Sequence, residues 1–114
     1  MDTTTITKAD LNDKNEYAAF DSLELAGSVV IEAGLGTVKF RGALSAGISI
    51  TAEAGSGIKA GSGIKAGWGI EAGWGIEAGL GIEAGLGIEA GWGIEAGSGI
   101  EAGSGIKAGL GIKA

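Results

Sequence analysis

From Ala54 to Lys113 the chain reads AGSGIK, AGSGIK, AGWGIE, AGWGIE, AGLGIE, AGLGIE, AGWGIE, AGSGIE, AGSGIK, AGLGIK, ten hexads without an insertion, followed by Ala114. Ala, Gly, Gly and Ile never change. One variable position is Ser, Trp or Leu, and the other is Lys or Glu. Two Gly in every six residues penalise a helix by about 2 kcal/mol per hexad relative to Ala. Collagen needs Gly at every third position, usually with Pro, and this chain has no Pro. Ile-Glu-Ala alternates apolar, polar, apolar, which is the period of a short strand with Ile and Ala on one face. The Gly-x-Gly that follows reads as a turn, since Gly reaches positive φ without strain. Strand and turn at a fixed period, repeated through the chain, make a β-solenoid.

The fold class is therefore all-β, a parallel β-solenoid with a short N-terminal cap. Two closures fit the period: a flat, two-sided coil of two hexads and a triangular coil of three. The variable positions change in doublets (Ser56 and Ser62, Trp68 and Trp74, Leu80 and Leu86), which favours the flat coil by making each doublet one rung. A flat coil also sets Ile opposite Ala, large against small. Its interior is very thin, which favours the triangle, and duplication of hexads explains the doublets equally well.

The array resembles hexapeptide-repeat proteins of the left-handed β-helix kind, which place an aliphatic residue at every sixth position. It is also similar to uncharacterised Gly-rich hexad-repeat proteins of bacteria, phages and mobile elements. The first resemblance implies the triangular coil. Many hexapeptide-repeat members are acyltransferases with a His base. This chain has no His, so that role is not carried over.

Residues 23–53 read as degenerate coils, with Val38, Phe40, Leu44, Ile48 and Ile50 at alternating positions extending the core. Larger side chains are expected where a solenoid closes its end. Residues 1–22 form a polar head. Asp13 and Glu16 have capping-box spacing, which predicts a short helix over about 14–20 laying Tyr17 and Phe20 on the first coil, with a loose polar tail as the alternative. The array, residues 54–114, ends without a capping segment, and a bare last strand is a template for pairing with another chain.

With no Cys, His or Pro, the chain has no disulfides, no thiolate or imidazole metal ligands and no Ser–His–Asp or Cys–His nucleophile. No metal and no cofactor is expected. The formal charge of −6 argues against direct binding of nucleic acid or an anionic membrane. The first residues lack an apolar signal core, and the charges are spaced too closely for a membrane span. A cytoplasmic protein is expected.

The site rests on the variable positions. A close-packed core does not accept Ser, Trp and Leu interchangeably, so this side chain belongs outside, at the crest of each turn. Trp68, Trp74, Leu80, Leu86 and Trp92 then form an exposed apolar stripe, the candidate partner-binding surface. Glu71, Glu77, Glu83, Glu89, Glu95 and Glu101 form an acidic ladder along the stack. The function expected is a non-enzymatic structural or interaction protein that self-associates, as a homodimer or higher homo-oligomer, or binds a protein partner through the stripe. The alternative is a small acidic inhibitor of phage type, imitating nucleic acid in the basic groove of a restriction, CRISPR or topoisomerase-type enzyme. The array itself carries only six Glu against four Lys. A Ca²⁺ site on the ladder is disfavoured, because convergent loop ligands are missing.

Overall fold

A computed structural model describes residues 3–113. In chain order the strands are β1 (Thr3–Ile6), β2 (Leu23–Leu25), β3 (Ser28–Ile31), β4 (Gly36–Phe40), β5 (Leu44–Ala46), β6 (Ile50–Ala52), β7 (Ser56–Ala60) and β8 (Ile64–Ala66). They continue as β9 (Ile70–Ala72), β10 (Ile76–Ala78), β11 (Gly81–Ala84), β12 (Gly87–Ala90), β13 (Gly93–Ala96), β14 (Gly99–Ala102), β15 (Gly105–Ala108) and β16 (Gly111–Lys113). All pair in parallel, in three sheets that the chain visits in rotation. Sheet one is β1-β3-β6-β9-β12-β15, sheet two β4-β7-β10-β13-β16, and sheet three β2-β5-β8-β11-β14. The molecule is a parallel β-solenoid of triangular section.

The coil takes three hexads. Ile58 pairs with Ile76, and Ile76 with Ile94, a step of 18 residues. This corrects the flat coil that the doublets favoured. Ser56 and Ser62, Trp68 and Trp74, and Leu80 and Leu86 lie on successive corners of the triangle and not one above another. The physical reason is interior volume: with two sheets back to back a row of Ile has nowhere to go, whereas three sheets close Ile58, Ile64 and Ile70 into a common centre. These three and Ala60, Ala66 and Ala72 are all at most 4% exposed. Coils then stack with Ile on Ile and Ala on Ala.

Backbone hydrogen bonds run around the corners as well as along the sheets. At one corner the Gly79 amide donates to the Ala60 carbonyl at 3.0 Å and the Leu80 amide to the Ser62 carbonyl at 2.8 Å. This continuous ladder explains the first Gly of each hexad. A Cβ on Gly79 would collide with the carbonyl oxygen of Gly61, one coil earlier, and the same holds for Gly85 over Gly67 and Gly97 over Gly79. The expected reason, positive φ, applies to no Gly after Gly55; it is confined to Gly34, Gly36 and Gly55 in the irregular coils. The second Gly is less constrained: a Cβ would meet the carbonyl oxygen of the next coil at 3.3 Å on Gly63, Gly69, Gly75 and Gly93, a tight fit, and at 3.6 Å on Gly81, an ordinary contact.

The N-terminal end is closed, though not by the expected helix. No helix covers 14–20; the one helical turn among the described residues is a 3₁₀ turn at Lys8–Asp10, where the Thr7 amide donates to Asp10 Oδ2 at 2.9 Å. β1 extends sheet one through its pairing with β3. Residues 15–17 run beside β4, with the Tyr17 amide donating to the Lys39 carbonyl at 2.8 Å and the Lys39 amide to the Asn15 carbonyl at 3.0 Å. The helix loses because its amides find a strand edge to pair with. Asp13 does not cap; Asn12 does the local work, its Oδ1 accepting from the Lys14 and Glu16 amides and its Nδ2 donating to Glu16. That last bond, helped by the charges of Arg41, Lys14 and Lys39, holds the Glu16 carboxyl below its ordinary pKa. The Tyr17 ring packs on Phe40 at 5.6 Å, while Phe20 is exposed. Phe40 occupies the place that Ala60 takes in the next coil, and its bulk fills the end of the core.

Two mutational contrasts follow from this packing. Gly79→Ala is expected to destabilise by about 1–3 kcal/mol or more, as an overpacked site does. Gly81→Ala, only two residues away, is expected to stay within about 1 kcal/mol of wild type. Chemical denaturation of the two variants checks this. Ile82→Ser, in a side chain 1% exposed between Ile64 and Ile100, is expected to lose several kcal/mol (~3 or more) by opening a cavity and burying a hydroxyl. Ile112→Ser, at a position half exposed in the last coil, is expected to change the same denaturation midpoint far less.

Candidate functional surface

The triangular coil decides where each variable residue goes. The corner between sheets three and one carries Ile48, Trp68, Leu86 and Ser104, linked by amide-to-carbonyl bonds such as Trp68 to Ile48 and Leu86 to Trp68, both 2.7 Å. Ile48, expected in the core with Val38, Phe40, Leu44 and Ile50, is thus a half-buried corner residue, because it stands at the variable position of its coil. The corner between sheets one and two carries Ser56, Trp74, Trp92 and Leu110. The corner between sheets two and three carries Ser62, Leu80 and Ser98. The five residues expected to form one stripe are therefore divided among three corners: Trp68 with Leu86, Trp74 with Trp92, and Leu80 alone.

These side chains do point outward. Trp68 and Leu80 are each 56% exposed, Leu86 53% and Trp92 50%. Trp74 is half buried, for a reason the sequence did not reveal. It lies over Ser56 toward Gly36, where its ring atoms come within 3.7 Å of the place a Cβ would take. Asn15 stands beside it and donates through Nδ2 to the Leu35 and Thr37 carbonyls at 2.8 and 2.7 Å. On its other side Trp74 stacks on Trp92, with ring centroids 4.7 Å apart and planes 7° from parallel. Beneath it Ser56 is completely buried, accepting from the Leu35 amide at 3.0 Å and donating to the Glu32 carbonyl. Ser56 is thus an exception to the rule that the variable residue faces solvent. The one sign of it in the sequence is its place in the first hexad, directly after an irregular coil.

The acidic ladder is likewise divided in three. Sheet one presents the column Val30, Thr51, Glu71, Glu89, Lys107; sheet two presents Lys39, Lys59, Glu77, Glu95, Lys113; sheet three presents Glu24, Ser45, Lys65, Glu83, Glu101. Each column contains two stacked Glu and at least one Lys from the array. Lys59 bridges Glu77 at 3.4 Å and Lys65 bridges Glu83 at 3.8 Å. Such exposed pairs are worth about 0.2–1 kcal/mol each and mainly offset the repulsion between neighbouring Glu. No group of three or more His, Cys, Asp or Glu gathers among the described residues. Between the charge columns and the corners run shallow axial grooves floored by Gly, such as Gly63, Gly81 and Gly99 on sheet three. Among the described residues no helix is long and apolar enough to cross a membrane.

Comparison with protein-family models, with characterised proteins and with solved structures finds no match to the chain.

The stacked pair is energetically coupled. A double-mutant cycle on Trp74→Ser and Trp92→Ser, read by chemical denaturation, is expected to show a coupling of about 0.5–1.5 kcal/mol. The same cycle on Trp68→Ser and Trp92→Ser, on different corners, is expected to be additive.

Proposed function

We propose that the chain is a non-enzymatic interaction protein of the cytoplasm, a rigid solenoid that docks on protein surfaces, in the first place a second copy of itself, through the apolar ridges on its corners. The observation that carries this reading is the separation of roles within each hexad. From the second hexad on, Ile and Ala make the core alone, so the large apolar residues at the corners are not needed to fill it. Trp68, Leu80, Leu86 and Trp92 are all at least half exposed, and on two corners they stand in contiguous rows, Trp68 with Leu86 and Trp92 with Trp74, of the kind that marks association surfaces. Trp is moreover the residue type that dominates interface energetics.

The hexapeptide-repeat likeness adds a scaffold and no chemistry. The Glu16 carboxyl is held below its ordinary pKa by surface contacts in the head, first of all the Asn12 side chain. The inhibitor reading needed one continuous anionic strip. Six Glu spread two to a face, each pair flanked by Lys, give it little support.

The triple variant Trp68→Ser, Trp74→Ser, Trp92→Ser tests the proposal, using a residue that the same backbone already accepts at Ser62, Ser98 and Ser104. Its β-type circular dichroism and cooperative unfolding are expected to survive, with association lost in sedimentation, since each buried Trp contributes about 2 kcal/mol or more to an interface. A variant that unfolds, or that associates as before, would show the ridges to be structural and end the proposal.

A further inference from the structure

Two of the three corner ridges border the same sheet. Sheet one has Trp68 and Leu86 along one edge and Trp74, Trp92 and Leu110 along the other; sheets two and three each share only one of these ridges and have the sparse Leu80 corner on their other side. Sheet one also presents the least charged column, with Val30 and Thr51 ahead of Glu71, Glu89 and Lys107. Lys65 of sheet three and Lys59 of sheet two are engaged with Glu within their own columns, whereas among the described residues Glu71, Glu89 and Lys107 make no salt bridge.

We infer that this face binds a second copy of the chain, face to face and antiparallel, about a two-fold axis that passes by Glu89. The proposal rests on the ridge reading above and adds the face, the partner and the register. Closed two-fold pairing brings each ridge against its own copy. With the axis at Glu89, Trp92 meets Trp92 and Leu86 meets Leu86 of the second copy, Trp74 meets Leu110, and Trp68 meets Ser104. The column reads negative, negative, positive at steps of about 4.8 Å. Reversed on itself about its middle residue, it sets Glu71 opposite Lys107 twice. The same reversal of sheet two's Lys59, Glu77, Glu95 and Lys113 sets Lys on Lys and Glu on Glu. Sheet three's Lys65, Glu83 and Glu101 would also be self-complementary, but Lys65 is already paired and only one apolar ridge reaches that face. The three coils in contact bury roughly 500 Å² per copy, the low end of specific interfaces, so the dimer is weak and its population depends on concentration. The register contains one unfavourable meeting, Glu89 against Glu89.

Sedimentation equilibrium over a range of concentrations, on the full chain, tests each part. Glu71→Lys alone and Lys107→Glu alone place like charges opposite one another twice and are expected to weaken the dimer about tenfold or more. Mixed in equal amounts, the two variants recover opposite charges at both places and are expected to form a heterodimer at least as tight as wild type; this recovery also shows that both variants are folded. Glu89→Gln removes the repulsion at the axis and is expected to tighten the dimer severalfold. Because the chain contains no Cys, Glu89→Cys offers a single thiol, expected to form a disulfide-linked dimer on mild oxidation. A wild type that stays monomeric throughout would overturn the second-copy proposal while leaving the ridges as a surface for another protein. A Trp-dependent dimer indifferent to both charge reversals, with no recovery on mixing, would overturn the face and register while leaving the ridge reading in place.

Discussion

Every other feature of this molecule answers to the spacing between stacked coils. Parallel backbone hydrogen bonds hold successive coils about 4.8 Å apart, and here the bonds run through the corners as well as the strands. At that distance the corner backbones nearly touch. From Gly61 onward a side chain on the first Gly of each hexad has no room, which is why that Gly recurs through the array; in the first hexad Gly55 is required by its positive φ. The same spacing puts Ile on Ile and Ala on Ala, so the core is a stack of identical layers. It also puts like charges one above another, two Glu deep in each column, which the Lys at one or both ends of each pair moderates.

The solenoid itself was legible in the sequence because strand period and hexad period coincide: Ile-Glu-Ala gives the strand polarity and Gly-x-Gly gives the corner. The number of hexads per coil was misread. The doublets of Ser, Trp and Leu suggested two, and the structure distributes each doublet over adjacent corners. The charges carry no better signal: six Glu from Glu71 to Glu101, flanked by pairs of Lys, divide into rungs of two as readily as into turns of three. The volume that a row of Ile requires was the one reading of the residues themselves that pointed to three.

The surface was legible one residue at a time but not as a pattern. That the variable residue faces outward followed from interchangeability alone, and the exposure of Trp68, Leu80, Leu86 and Trp92 agrees. Its grouping depended on the coil number, so the single stripe became two ridges and an isolated Leu80. Ser56 and Trp74 departed from the rule because the irregular coil above them, with Gly36 and Asn15, offers a cover that no repeat unit encodes. The head was the least legible part. Capping-box spacing at Asp13 and Glu16 is a local signal, and it yielded to a longer-range one, the free edge of β4.

The three-hexad coil turns the linear order of hexads into a set of surface coordinates. A hexad's ordinal number, divided by three, gives its height from the quotient and its face from the remainder. Repeats of this kind gain or lose units by slippage during replication, and the core, being the same in every unit, is indifferent to how many there are. The surface is not indifferent. Gain of three hexads lengthens the rod and keeps every column aligned. Gain of one turns everything downstream by a third of a revolution, so that Trp, Leu, Glu and Lys acquire new vertical neighbours while no core contact changes. A family of such chains can therefore vary its outer pattern in discrete rotations without renegotiating its fold.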